Sequence, residues 1–283
     1  MNKNTVPPSL MPLALLQGAL LLACYAPLLA GLARQWRTDQ DMSHGFFVLP
    51  VVAYVVWRRR AELKAITQLG KGAPNWWGFA IAVGGAAQML LGTLAAQVFI
   101  ARTAFLVSLV GALLFLGGTR TLRILAFPLL LLLFLFPIPA IVYARFTLPL
   151  QIFASATAET ILNWIGIPVL RDGNILELAH QRLSVVEACS GIRSLLSLSF
   201  LALIYAYFFD QKVWMRWALL AATIPIAIAA NAARVTLTGV LSEYSAGLAH
   251  GAFHLFEGWV LFIVALGLLI AVHQLCRNVR RLS

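Results

Sequence analysis

Charge is what this chain lacks. Only 11% of its 283 residues are Asp, Glu, Lys or Arg, and only 10 of those are acidic. A soluble domain carries about 25% charged residues, so this chain cannot cover one core with a water-facing surface. Cysteine is almost as scarce. Cys24, Cys189 and Cys276 are too few and too scattered for a disulfide framework or a zinc knuckle. No internal repeat, low-complexity tract or cleavable leader stands out, and residues 1–9 read as a short tail.

What the chain has in quantity is apolar residue, 61% of the total. Runs between charged punctuation predict spans at 10–33, 44–57, 75–93, 99–117, 121–143, 190–209, 213–239 and 254–274. The fifth contains Pro128, Pro137 and Pro139, which kink or break helices. The expected fold is an all-α polytopic membrane protein of about eight transmembrane helices, embedded over about 10–274, as a single domain. The net charge of +11 does not call for nucleic acid. The cations sit in short tracts such as Arg58–Arg60 and 277–281, the pattern of positive-inside loops.

Segment 145–166 differs from the spans. Gln151, Ser155, Glu159 and Asn163 recur every fourth residue and form one polar helical stripe, which predicts an amphipathic helix at the interface or re-entering it. With that segment not crossing, the cytoplasmic side holds thirteen of the 21 Lys and Arg, and both termini are cytoplasmic. Residues 167–189 form an extracytoplasmic β element: a hairpin around Asp172-Gly173, with alternation continuing through Leu183, Val185 and Glu187.

Three motifs share the outer level. Glu187-Ala-Cys-Ser-Gly-Ile-Arg-Ser194 ends the β element and opens an apolar helix, placing Cys189 at a positive helix end with Arg193 one turn on. Small residues that merely permit close packing would look the same. Asn231-Ala-Ala-Arg234 lies in the seventh span, with Arg234 about 27 Å beyond Arg216 and on a face with Asn231 and Thr238. Such an arginine is either functional or a headgroup anchor. His250 and His254 open the eighth span. A thiol, an imidazole and a guanidinium on one level suit cysteine acyl transfer, which needs a nucleophile, a proton shuttle and an oxyanion partner. Two rivals stand beside it: a metal face of His250, His254 and Glu257, and a transporter whose polar residues line a path. Before the second span, Asp41-Met-Ser-His44-Gly places His44 below the outer surface, where it faces the site, or else Ser43 caps the helix and His44 lies at the interface.

These motifs, E-A-C-S-G-I-R-S at 187–194, N-A-A-R at 231–234 and F-H-L-F-E-G-W at 253–259, together with S-H-G-F at 43–46, resemble the exosortase branch of the exosortase/archaeosortase family from residue 40 to about 265. The resemblance implies a bacterial inner-membrane cysteine transpeptidase associated with exopolysaccharide. Its substrates would be proteins bearing a C-terminal PEP-CTERM sorting signal, handed to an acceptor nucleophile. It implies Cys189 as nucleophile, Arg234 and His254 as catalytic partners, a periplasmic active site, and neither cofactor nor metal. Asn231, Arg193, His44 and Glu187 are supporting candidates. Met42 stands where the family often has tyrosine, which removes any role for that hydroxyl. No C-terminal soluble domain follows the eighth span, so a separate accessory protein would supply that activity. The bilayer is the other expected partner, and nucleic acid is not one.

Overall fold

The computed structural model describes residues 11–39, 42–68, 75–179, 182–185, 191–210, 212–244 and 252–282. It is almost entirely helical, and it divides into two compact units, Met1–Ile138 and Pro139–Ser283. Among the described residues five helical stretches are long and apolar enough to cross a membrane: Leu15–Thr38, Trp76–Leu94, Val98–Leu135, Val213–Glu243 and Gly258–Asn278. Gly45–Arg58 and Ser194–Phe209 are apolar but shorter.

The first unit holds α1 (Met11–Thr38), α2 (Gly45–Arg58), α3 (Arg60–Gln68), α4 (Trp76–Leu94) and α5 (Val98–Leu132), which runs on into a 3₁₀ turn at Leu133–Leu135. Neither composition nor motif predicted α3, a short polar helix held at its start by an Arg59–Glu62 ion pair.

A straight helix from Arg102 to Leu135, 33 positions further on, would be about 50 Å long. Yet Arg102 donates to Gln35 Oε1 and the Leu135 carbonyl accepts from Trp36 Nε1, neighbouring residues of α1. The chain therefore reverses between them. The reversal is at Gly118, whose φ of 67° and ψ of −174° suit only glycine. The two limbs of α5 correspond to the separate spans read at 99–117 and 121–143. The second limb ends earlier than expected, because the chain leaves helix at Phe136 and Pro137 through Pro139 keep it out.

α4 lies against the first limb of α5 along glycines spaced seven apart. Gly78, Gly85 and Gly92 each approach backbone of α5, near Phe115, Ser108 and Ala101 in turn. Without a hydrophobic drive between helices in lipid, this close backbone contact is the source of the packing energy. Tyr25 of α1 closes the seam, its hydroxyl within 3.2 Å of the Gly85 and Ala104 carbonyls and 2.8 Å of Ser108 Oγ.

The second unit contains α6 (Ala140–Trp164), strands β1 (Val169–Asp172), β2 (Ile175–Leu178) and β3 (Arg182–Ser184), then α7 (Gly191–Phe209), α8 (Val213–Tyr244) and α9 (Ala252–Leu282). Gly166 ends α6 at φ 88°, with the Ile167 and Gly166 N–H groups turned back on the Leu162 and Asn163 carbonyls. That is a Schellman termination. The strands form an antiparallel meander in the order β1-β2-β3. Its first turn places a positive φ (61°) at Gly173 and not at Asn174, the pattern of a II′ hairpin.

The polar stripe of α6 meets this sheet. Gln151 Oε1 accepts from Asn174 Nδ2 at 3.1 Å, and Ser155 Oγ donates to the Gly173 carbonyl at 2.8 Å. Glu159 pairs with Arg171 at 2.8 Å, and Asn163 Oδ1 accepts the Val169 N–H at 3.3 Å. All four stripe residues thus bond consecutive parts of β1 and its turn. The interfacial reading of 145–166 overlooked this partner. Beneath the seam Ala158, Leu162, Leu176, Leu183 and Val185 are buried with Ala232 and Val235 of α8.

Candidate active site

α7, α8 and α9 pack as a three-helix bundle on small residues. Ala202 and Ala206 of α7, Ala227 of α8 and Ala265 of α9 sit in one buried cluster with Leu198, Met215, Leu219 and Leu269. One end of the bundle is tied by a polar knot. The ring of His273, 1% exposed, lies between Tyr205 Oη at 2.8 Å from Nδ1 and Asp210 Oδ2 at 3.3 Å from Nε2. Asp210 also accepts the Lys212 N–H at 2.8 Å. Burial pushes the Asp210 carboxyl up, but the Lys212 N–H and His273 more than offset this and hold it below the ordinary carboxylate range.

Towards the other end lies Arg234, eighteen residues beyond Arg216 in α8. Asn231 is 5% exposed and Thr238 1% exposed, so the shared face expected for these three is the packed face of the helix. Arg234 meets α9 at Gly258. A Cβ placed there would lie 3.0 Å from Nη2, 3.3 Å from Cζ and 3.6 Å from Nη1, so the guanidinium rests close against α9 where a methyl group would crowd it. Position 254 is four residues earlier in the same helix, one turn along the same face. A cavity of about 20 Å³, room for one water-sized group, is lined by Ser194 of α7, Asn231 and Arg234 of α8, and Gly258 of α9. The rest of its wall is apolar, including Leu198, Leu261 and Phe262, so the helices bearing all three motifs meet at one small space with a few polar groups.

Cys189 and Glu187 lie outside the described residues, as does His250, and so do the side chains of Arg193, His254 and Glu257. The chain on either side of Cys189 is described. Val185 is fully buried, its N–H bonded to the Asn174 carbonyl, and α7 begins at Gly191.

His44 belongs to the first unit. Its Nε2 is 3.1 Å from the Phe134 carbonyl, next to the Leu135 carbonyl that Trp36 Nε1 engages at 3.2 Å. Both oxygens are left over where the second limb of α5 ends. Gly45 is required there, since a Cβ would fall 2.6–2.8 Å from atoms of the Trp36 indole. Seen locally, Ser-His-Gly-Phe is a clamp on a helix end. Sequence reading passed over two cavity residues. Gly258 had a usable signal, standing four after His254 in a helix, whereas Ser194 was hidden beside the more conspicuous Arg193.

Long apolar helices and a small cavity lined in part by Ser194, Asn231, Arg234 and Gly258 mark a multi-pass membrane protein with polar groups gathered between three of its helices. Residues 36–271 match the family described as transmembrane exosortase, and the chain belongs to that family. Membership carries a general role, cysteine-dependent peptidase or transpeptidase work in protein sorting. No curated protein and no solved structure matches the chain.

Proposed function

We propose that this protein is a cysteine transpeptidase of the bacterial inner membrane that cleaves PEP-CTERM-type C-terminal sorting signals at the periplasmic face. The observation that carries the reading is the cavity shared by Ser194, Asn231, Arg234 and Gly258, because it joins helices whose motifs are far apart in sequence. The two α5 limbs and the two shorter apolar helices, taken with the other long ones, support eight crossings with both termini cytoplasmic. The chain then acts as one integral exosortase domain, and the sheet lies outside.

In this mechanism the Cys189 thiolate, favoured by the positive end of α7, attacks the scissile carbonyl. The carbonyl oxygen becomes an oxyanion that Arg234 stabilises. As the intermediate collapses, the C–N bond breaks, the leaving amine takes a proton from His254, and a thioester on Cys189 remains. An acceptor nucleophile, or water, then attacks the thioester and regenerates the thiol. Asn231, one turn before Arg234, steadies the guanidinium.

The test is co-expression with a protein carrying such a signal. Wild type should yield a shortened product whose new C-terminus, read by mass spectrometry, carries the acceptor or a free carboxylate. Cys189→Ala should leave the substrate intact while still inserting in the membrane, and Cys24→Ala and Cys276→Ala should remain active. Processing by Cys189→Ala would remove the nucleophile assignment and restore the transporter reading.

A further inference from the structure

Resting on the reading of Arg234 as oxyanion partner, we propose that the cavity between α7, α8 and α9 is the pocket for the reacting carbonyl oxygen, with Ser194 as a further hydrogen-bond donor and Gly258 as a positioning residue. Three features lead there. The cavity holds about 20 Å³, a space for one oxygen-sized group rather than a side chain. Among its lining residues Ser194, Asn231 and Arg234 carry side chains able to donate, and the rest of the wall, such as Leu198, Leu261 and Phe262, is apolar and excludes water. Ser194 stands in the first turn of α7, five residues after Cys189, so the nucleophile motif and the donor share one helix start.

The chemistry balances without a further reactant. Thiolate attack moves the carbonyl π electrons onto oxygen, and the Ser194 hydroxyl donates a hydrogen bond to it without losing its proton. Collapse returns the electrons to C=O as the C–N bond breaks, and the donor is unchanged. Gly258 acts through Arg234. With no Cβ, α9 allows the guanidinium to lie against its backbone, fixing the direction of the charge relative to position 254. A methyl group there demands only a few tenths of an ångström, which a flexible arginine yields while the fold stays intact.

The experiment compares Ser194→Ala, Ser194→Thr and Gly258→Ala in purified enzyme, with a signal-bearing protein as substrate, measuring kcat, KM and thermal unfolding. Ser194→Ala should lower kcat about 10²–10³-fold, the loss typical of one oxyanion donor, with KM little changed. Ser194→Thr, which keeps the hydroxyl, should recover much of it. Gly258→Ala should lower kcat about tenfold or more through misplacement, with an unfolding temperature equal to or above wild type because alanine favours helix. That opposition of sign is what a purely structural glycine would not give. Wild-type kcat in Ser194→Ala and Gly258→Ala, with Arg234→Lys inactive, would overturn this pocket and leave the transpeptidase reading standing. Wild-type kcat in Arg234→Lys would overturn the oxyanion role of Arg234 on which the pocket rests, while processing itself would keep the transpeptidase reading.

Discussion

Two adjacent glycines in α4 should respond to the same substitution with opposite signs. Gly84 has nothing within 4 Å of where a Cβ would stand, whereas at Gly85 that atom would lie 2.7 Å from the Ser108 backbone nitrogen and 3.1 Å from the Ala104 carbonyl oxygen. In both positions alanine gains about 1 kcal/mol of intrinsic helix preference. For Gly84→Ala that is the whole effect. For Gly85→Ala the limb of α5 must retreat, since α5 backbone obstructs as well as the Ser108 hydroxyl, and overpacking of this kind costs about 1–3 kcal/mol. Retreat also pulls apart the knot in which Tyr25 Oη meets the Gly85 and Ala104 carbonyls and Ser108 Oγ, at about 1 kcal/mol per bond lost. The net expectation is a loss of roughly 1–4 kcal/mol. Thermal unfolding in detergent reads this directly, at roughly 2–4 °C per kcal/mol for a chain of this size. Gly84→Ala should unfold at or slightly above the wild-type temperature and Gly85→Ala several degrees below it. Equal shifts for the pair would refute the close-packed α4–α5 seam.

Arg234→Lys should express and insert normally yet lose most processing, because a point charge cannot reproduce the planar fork resting on Gly258. Wild-type turnover would make this residue a headgroup anchor. His254→Ala should lose about 10²–10⁴-fold in rate, the usual share of a general acid, while His250→Ala loses little. Equal losses combined with inhibition by chelators would favour the metal face. Asp210 supplies a pH test. Its depressed pKa means that its stabilisation is complete above the unfolded carboxyl's range, near pH 4, and is lost as pH falls through the lower folded value. Asp210→Asn should lower the neutral-pH unfolding temperature and flatten the acid limb of the stability profile. An unchanged acid limb would count against the knot with His273.

Apolar runs made most of the helices legible, since a span needs only enough consecutive apolar residue to cover the hydrocarbon. The reversal at Gly118 was legible too, from the Gly-Gly-Thr-Arg between two such runs. The meaning of the polar stripe on α6 was not. Periodicity says that Gln151, Ser155, Glu159 and Asn163 share a face but not what the face meets, and a sheet placed later in the chain leaves no mark at those positions. His44 shows a related limit. Its motif was conspicuous, but the Phe134 carbonyl that it engages is 90 residues away. Small residues were the hardest to read. Gly258 and Ser194 acquire their place only when three helices converge, because what matters at each is the room left beside it.

The seam between α6 and the sheet also prescribes an order of assembly. Its four contacts are nested around the bend at 165–168: Asn163 with Val169, Glu159 with Arg171, Ser155 with Gly173 and Gln151 with Asn174, at separations of 6, 12, 18 and 23 residues. Each closure brings the next pair together, so the cost of every longer loop is largely met by the shorter one before it. The sheet can therefore zip onto the helix as the ribosome delivers it, starting at the bend and ending at Gln151. During synthesis α6 emerges bearing four polar groups whose partners do not yet exist. Hydrocarbon is a poor place to wait for them, so the polar face of α6 is satisfied only once 169–174 have been made. The segment bearing Cys189 leaves the ribosome only after every partner in this seam has been made.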